Sequence, residues 1–262
     1  MKILLTNDDG FDSPGILLLA QALRGAGHRV FVVAPASDQS GVSHSITFLN
    51  GPCKLVETGK DSWSCEGTPA DCMVIALMGG IPELCILDEA GKRKQVIPVD
   101  AIISGINRGS NLGTDIVYSG TAAAARQGAL CGIPSAALSL VGGGNENREW
   151  HWDIAVSFVQ ENLDSILAYW KPNSFVNVNM PNKKEKPLGL IHSFPSFRYY
   201  NDRIDVFSAA DGHRYCFANA GKITGFKRKE GMTDCEVVEE NNASVSEIFI
   251  HPLLLESVRG EA

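Results

Sequence analysis

The sequence predicts an α/β protein built on a mainly parallel sheet, with a β-hairpin arm towards its C-terminus. Three observations support this prediction. Short apolar runs alternate with helix-period segments from Lys2 to about Asn179. Several of those runs, such as Arg29–Ala34 (RVFVVA), are continuously apolar, as expected of strands buried on both faces. Beyond Ser193 that alternation stops and a hairpin pattern replaces it.

The elements follow in order. Lys2–Thr6 is a buried strand that stops at Asn7-Asp8-Asp9-Gly10. Ser13 caps a helix with Pro14 in its first turn, and Ile16, Leu19, Ala20 and Leu23 make its apolar face. Gly25 and Gly27 end it, and Arg29–Ala34 returns as a strand parallel to the first. Ser45–Phe48 and Cys53–Thr58 read as short strands in an excursion from the main sheet. Thr68-Pro69-Ala70-Asp71 is a helix start with a capping Thr and an acid three residues on, and the helix runs to about Met78. Asp100–Ser104 is a strand, Ser119–Cys131 a helix of small residues, and Pro134–Ser139 a strand. Apolar residues from Trp152 to Leu167 keep helical spacing, and Phe175–Asn179 is a further strand. Arg203–Ser208 and Arg214–Ala218 flank a turn-prone Ala-Asp-Gly and form the hairpin. The expected organisation is an α/β core over 1–193, an arm over 194–243, and a last strand with tail over 244–262 that returns to the core or to a partner subunit. The arm has no long apolar face of its own, so it is expected to pack on another subunit.

Composition excludes several classes. With 262 residues, 44% hydrophobic and 20% charged, the chain is neither disordered nor fibrous and can bury one large core. Twenty-three basic against 30 acidic residues give a formal charge of −7, which argues against binding a nucleic-acid polymer. No apolar run approaches the ~20 residues of a membrane helix, and Asp8 and Asp9 interrupt the N-terminus before a signal core forms. The seven cysteines are odd in number and contain no C-x-x-C, so neither a disulfide framework nor a thiolate zinc site is expected. These features predict a cytoplasmic protein with no membrane partner.

The chemistry collects where strands end, as ligands do in open α/β sheets. Asn7–Gly10, Ser37–Ser45 and Ser104–Asn111 each follow a strand, so adjacency can bring Asp8, Asp9, Ser40 and Asn107 together. Two neighbouring carboxylates invite a divalent cation, and an all-oxygen set suits Mg²⁺, Mn²⁺ or Ca²⁺ better than Zn²⁺. Tyr118-Ser119-Gly120-Thr121 opens a helix whose N-terminus attracts anions, and Asn111 lies just upstream. A cation site beside an anion site suits phosphoryl chemistry. Each piece also has an ordinary structural reading, as a turn or a helix cap, and only their convergence argues for function.

The residues also carry a resemblance. TNDDGFDSPGI at 6–16, VVAPASDQSG at 32–41, GTPADC at 67–72, SGINRGSNLGTDIVYSGT at 104–121 and NVNMP at 177–181 resemble the SurE family of metal-dependent nucleoside monophosphate phosphatases. The resemblance implies a three-layer, Rossmann-like α/β domain with a protruding arm and a C-terminal segment exchanged between subunits. It implies one divalent ion per subunit, Mg²⁺ or Mn²⁺, on Asp8, Asp9, Ser40 and Asn107. The expected activity is hydrolysis of nucleoside 5′-monophosphates in a homodimer or homotetramer, with 3′-monophosphates and short polyphosphate as open alternatives. Asp8 and Asp9 are the expected catalytic residues, and Asn111, Ser119, Gly120 and Thr121 the expected phosphate binders. Two rivals remain. An aspartyl-phosphate enzyme usually needs Asp-x-Asp, and Thr6 stands two before Asp8. A non-enzymatic nucleotide-binding module would have a standard phosphate loop, and neither G-x-G-x-x-G after a strand nor G-K-[ST] is present.

Overall fold

The first strand, β1 (Lys2–Thr6), sends Ile3 and Leu5 to one side and Leu4 to the other, so it supplies two cores at once. A computed structural model of the chain describes every residue except 88, 90–92, 97, 143–148, 227–230 and 252–262. After β1 come α1 (Pro14–Gly25), β2 (Arg29–Pro35), β3 (Leu55–Gly59), β4 (Ser62–Cys65) and α2 (Pro69–Leu77). A small pair follows, β5 (Cys85–Leu87) with β6 (Arg93–Val96), then β7 (Ala101–Arg108), α3 (Gly120–Leu130), β8 (Ser135–Val141), α4 (Trp152–Leu167) and β9 (Ser174–Pro181). The remainder holds β10 (Leu190–His192), β11 (Phe197–Tyr200), β12 (Arg203–Ser208), β13 (Arg214–Asn219), β14 (Ile223–Phe226), α5 (Asp234–Glu239) and β15 (Ala243–Phe249).

Nine strands form the central sheet in the order β10-β15-β9-β8-β7-β1-β2-β4-β3. The run from β9 to β4 is parallel throughout, whereas β15 lies antiparallel to β9 and β3 antiparallel to β4. Helices α1 and α4 cover one face, packing Ile16, Leu19, Val159 and Ile166 onto β1, β2, β8 and β9. The other face carries α2, which packs Cys72, Met73 and Ala76 on Leu4, Phe31 and Val33, and α3, which contributes Ala124. This is the expected three-layer α/β arrangement. Small residues let α3 lie close: a Cβ on Gly128 would stand 2.4 Å from Ile102 Cδ1.

Three local expectations are revised. Ser45–Phe48 forms no strand, because Thr47 is drawn to the Asp71 carboxylate through both its backbone N–H (3.0 Å) and its hydroxyl. The chain there makes a single 3₁₀ turn, Phe48–Asn50. Strands β3 and β4 are no excursion; they extend the main sheet at its β2 edge. Strand β7 does not stop at Ser104 but slips register against β8 and continues to Arg108, which places Asn107 inside a strand. The tail over 252–262 lies outside the described residues.

The Thr68 start of α2 is a full capping box. The Thr68 hydroxyl accepts from Asp71 N (3.1 Å) and donates to Ser45 O (2.7 Å), and Asp71 accepts from Thr68 N (2.9 Å). Thr68→Ala is expected to cost about 1–2 kcal/mol. In a chain of this size that lowers the thermal midpoint by roughly 2–4 °C per kcal/mol, checked by calorimetry.

Candidate active site

The site is assembled at the C-terminal ends of β1, β2 and β7. Asn7, fully buried, donates from Nδ2 to Gly10 O (2.8 Å) and Ser13 Oγ (2.7 Å), which fixes the turn after β1. Gly10 adopts φ +101°, and its missing Cβ lets Ser37 approach to what would be 3.2 Å. Gln39 N then donates to Asp8 O (2.8 Å), tying the loop after β2 to the turn after β1.

Asp8 is buried, and its carboxylate sits at the N-terminus of α3. Thr121 bonds it twice, through the hydroxyl to Oδ1 (2.5 Å) and through its backbone. Burial still pushes the Asp8 carboxyl above its ordinary range. Asp9 accepts from Arg108 N (2.8 Å) and is raised to about 7 by burial and then by the neighbouring Asp8 charge. Two carboxyl groups that resist ionisation side by side are stabilised as anions when a cation joins them. Asn107 donates from Nδ2 to Gly109 O (3.2 Å), which leaves its Oδ1 to act as a donor atom toward a cation. Ser40 gives its hydroxyl proton to Asp38 Oδ1 (2.6 Å), so its oxygen keeps free lone pairs. Asp8, Ser40 and Asn107 line one cavity of about 360 Å³. The set is all oxygen, and among the described residues no cluster of three or more His, Cys, Asp or Glu suited to a metal occurs. This donor chemistry fits a hard divalent cation.

The four residues expected to hold phosphate divide into two pairs. Asn111 and Ser119 line the cavity. Asn111 is held by Asn179 Oδ1 at its N–H (2.9 Å), by Ser139 Oγ at its Nδ2 (2.8 Å), and by Asn177 Nδ2 at its carbonyl (2.9 Å). Ser119 caps α3, accepting from Ala122 N (3.0 Å). Thr121 and Gly120 lie beneath Asp8 instead. Thr121 is fully buried with its hydroxyl committed to Asp8, and a Cβ on Gly120 would come within 2.8 Å of Asp8 Cβ. His44, the histidine of the Ser37–Ser45 loop, pairs with Gln127, Nε2 to Oε1 at 3.0 Å.

The family model described as "Survival protein SurE" matches residues 3–198. The chain belongs to the SurE family. A protein named 5′-nucleotidase SurE from Methylocella silvestris is 34% identical over 248 residues, 94% of this chain and 92% of the relative. One of the same name from Desulforudis audaxviator is 33% identical over 258 residues, 95% of this chain and 92% of the relative. The crystal structure of SurE protein from Aquifex aeolicus superposes with a TM-score of 0.77 at 33% identity, covering 99% of this chain and 97% of that one.

This SurE-family chain also brings residues to the cavity that the sequence reading did not single out. Asp115, Tyr118, Arg108 and Tyr200 are among its walls. Asp115 pairs with the Arg198 guanidinium and accepts from the Tyr200 hydroxyl. Burial, and then that contact, push the Tyr200 phenol up to about 12, so it stays a donor. Asp115 and Tyr118 fall within the matched motif at 104–121, which is a signal, whereas nothing local marks Arg198 or Tyr200.

If α3 must sit flush on Asp8, Gly120→Ala will overpack that contact. Expected is a loss of about 1–3 kcal/mol in equilibrium urea unfolding. Ser119→Ala, which removes only the cap, is expected to cost about 1 kcal/mol.

Proposed function

We propose that this chain hydrolyses nucleoside 5′-monophosphates to nucleoside and phosphate, using one divalent cation per subunit held by Asp8, Asp9, Ser40 and Asn107. The nucleotide phosphomonoesterase assignment follows from the relatives named 5′-nucleotidase SurE, which match over nearly the whole chain. The observation that carries the cation reading is the buried Asp8 carboxylate lining one cavity with the amide of Asn107 and the hydroxyl of Ser40, with the Asp9 carboxyl next to it in sequence and held by Arg108 N–H. Mg²⁺ and Mn²⁺ are the ions this donor set favours.

Such a cation, when bound, supplies Lewis-acid polarisation of a phosphoryl oxygen and offsets charge in the transition state. The residues do the rest. Thr121 holds the Asp8 carboxylate by two contacts, and Arg108 N–H holds Asp9, so neither acid must reorganise. Asn111, whose Nδ2 is spent on Ser139 and Thr121 and whose backbone is locked by Asn177 and Asn179, fixes the cavity wall at the proposed phosphate position with Ser119 beside it. Gly120 allows α3 to approach, and Thr121 acts on phosphate through Asp8. One of the two acids orients the attacking water. Because the whole chain is negative, attraction for an anionic substrate is confined to this pocket.

Residues 1–193 form the proposed catalytic core, with 194–243 as an arm for self-association and 244–262 as the closing segment. Every residue of β12 and β13 is exposed, including Ile204, Val206, Phe207, Tyr215 and Phe217. An isolated two-stranded hairpin is marginal in water, which supports burial against a second copy in a homodimer or homotetramer. Among the described residues no helix is long and apolar enough to cross a membrane.

The deciding experiment is phosphate release from a panel of 5′- and 3′-monophosphates and short polyphosphate, with chelator and then Mg²⁺ or Mn²⁺ added back. Asp8→Asn and Asp9→Asn should each lower kcat by at least about 100-fold, the scale of a few kcal/mol of transition-state stabilisation. Near-normal turnover in either variant, or in chelator, would overturn the cation reading; nucleotide binding without release would favour a binding module. Replacing Phe207 and Phe217 together by Asp should shift the protein to a smaller species in light scattering. A wild-type monomer at micromolar concentration would count against the arm's proposed role.

A further inference from the structure

Of the four candidate cation ligands, Ser40 is the weakest by chemistry. Asp8 and Asp9 offer carboxylates and Asn107 an amide oxygen, whereas a serine hydroxyl is neutral and rotates unless something holds its proton. Asp38 holds it. One carboxylate oxygen, Asp38 Oδ1, accepts from both the backbone N–H of Ser40 (2.8 Å) and its hydroxyl (2.6 Å). The first bond shapes the turn and the second stops the rotor. With the proton aimed at Asp38, the hydroxyl lone pairs are aimed elsewhere, and Ser40 lines the cavity together with Asp8 and Asn107.

The loop around this contact is pinned on both sides. Before Ser40, Gln39 N donates to Asp8 O (2.8 Å). After it, Ser43 donates to Tyr118 O from its N–H (3.0 Å) and to Val117 O from its hydroxyl (2.7 Å). Gly41, at φ +76°, makes the left-handed bend between them. Asp38 itself is exposed and is not among the described residues that line the cavity, so its carboxylate stands behind Ser40. Its charge nevertheless reaches both Asp8 and Asp9, and would reach a cation that they hold. A carboxylate that takes the proton of a neutral ligand both orients that ligand and makes its oxygen a better electron donor.

We propose that Asp38 is a positioning residue for the divalent cation, acting through the Ser40 hydroxyl. It turns a weak, freely rotating oxygen into a directed one and takes no part in the ligand set itself. The inference rests on the cation reading and names what makes a hydroxyl an effective fourth ligand.

Mn²⁺ dissociation constants decide the matter, measured from the free-ion signal in electron paramagnetic resonance on chelator-stripped protein without substrate. Asp38→Asn keeps an oxygen able to accept both bonds and removes the charge, so the turn is retained. It should weaken Mn²⁺ binding by about ten-fold or more, within the roughly 10–100-fold of an outer-sphere partner. In a Ser40→Ala background the same substitution should change the constant by no more than about three-fold, the remainder of its charge acting through water. Both positions are exposed, and an unchanged thermal midpoint in chelator verifies the fold. Asp38→Ser, which also keeps an acceptor, replaces Asp38→Asn should that variant melt early. Wild-type affinity in the folded Asp38 variant would overturn the proposal. So would a full ten-fold loss persisting in the Ser40→Ala background, because Asp38 would then act as a ligand or a charge in its own right. Wild-type protein that binds no Mn²⁺ would instead overturn the cation reading, and this role of Asp38 with it.

Discussion

Much of the molecule turns on one contact, between the Asp8 carboxylate and the first turn of α3. A helix N-terminus attracts an anion, and here the anion is a side chain of the protein itself. Thr121 meets it with hydroxyl and backbone together, across 113 residues of sequence. The contact needs Gly120, since a Cβ there would stand 2.8 Å from Asp8 Cβ. It needs the buried alanines, which let α3 lie close to the sheet. It also needs Asn111, whose Nδ2 lies 3.3 Å from Thr121 Oγ1 and orients that hydroxyl. Behind Asn111 stand Asn177 and Asn179 on β9, so a chain of polar side chains runs from the far strands to the acid. Such a network is stable only when its members are paired, which is why these Asn residues are buried with their donors engaged.

The same contact leaves a charge problem. Asp8 and Asp9 cannot both ionise comfortably in a buried site, and burial raises both. The hydrogen bonds from Thr121 and Arg108 offset part of that cost. The site therefore holds two acids whose ionisation is opposed by burial and, at Asp9, also by its neighbour's charge.

How much of this the sequence disclosed depends on how local the cause is. The α/β alternation, the Thr68 capping box and the hairpin at 203–218 rest on neighbouring residues and are legible. The candidate ligands Asp8, Ser40 and Asn107 are legible as well, because strand adjacency alone brings strand ends together. What was not legible depends on distant partners. Ser45–Phe48 has β-forming residues, yet Asp71 captures Thr47 and holds the segment out of the sheet. Asp100–Ser104 reads as the whole strand, yet a register slip against β8 carries β7 on to Arg108. Thr121 reads as a residue offered to phosphate, whereas a distant acid already occupies its hydroxyl. Arg198 and Tyr200 carry no local signal at all, since only tertiary packing sets them against Asp115.

That packing sets the root of the arm against the wall of the cavity. Its root is fastened beside the site by Asp234, a fully buried acid that accepts from Gly113 N (2.7 Å), Ser196 N (3.0 Å) and Cys235 N (2.9 Å). Gly113 is at φ +54°, and a Cβ there would come within 1.9 Å of Ser196 O, so this joint accepts no other residue without moving. Arg198 N then donates to Thr114 Oγ1 (3.0 Å), setting β11 directly on the segment that carries Asp115. The hairpin beyond it is exposed along both strands. Asp115 and Tyr200 thus meet at the root of the arm, while Asp8 and Asp9 are held separately by β1, β7 and α3. The fold thus builds the cavity from two halves, one fixed by the sheet and α3 and one whose geometry is tied to the arm's root.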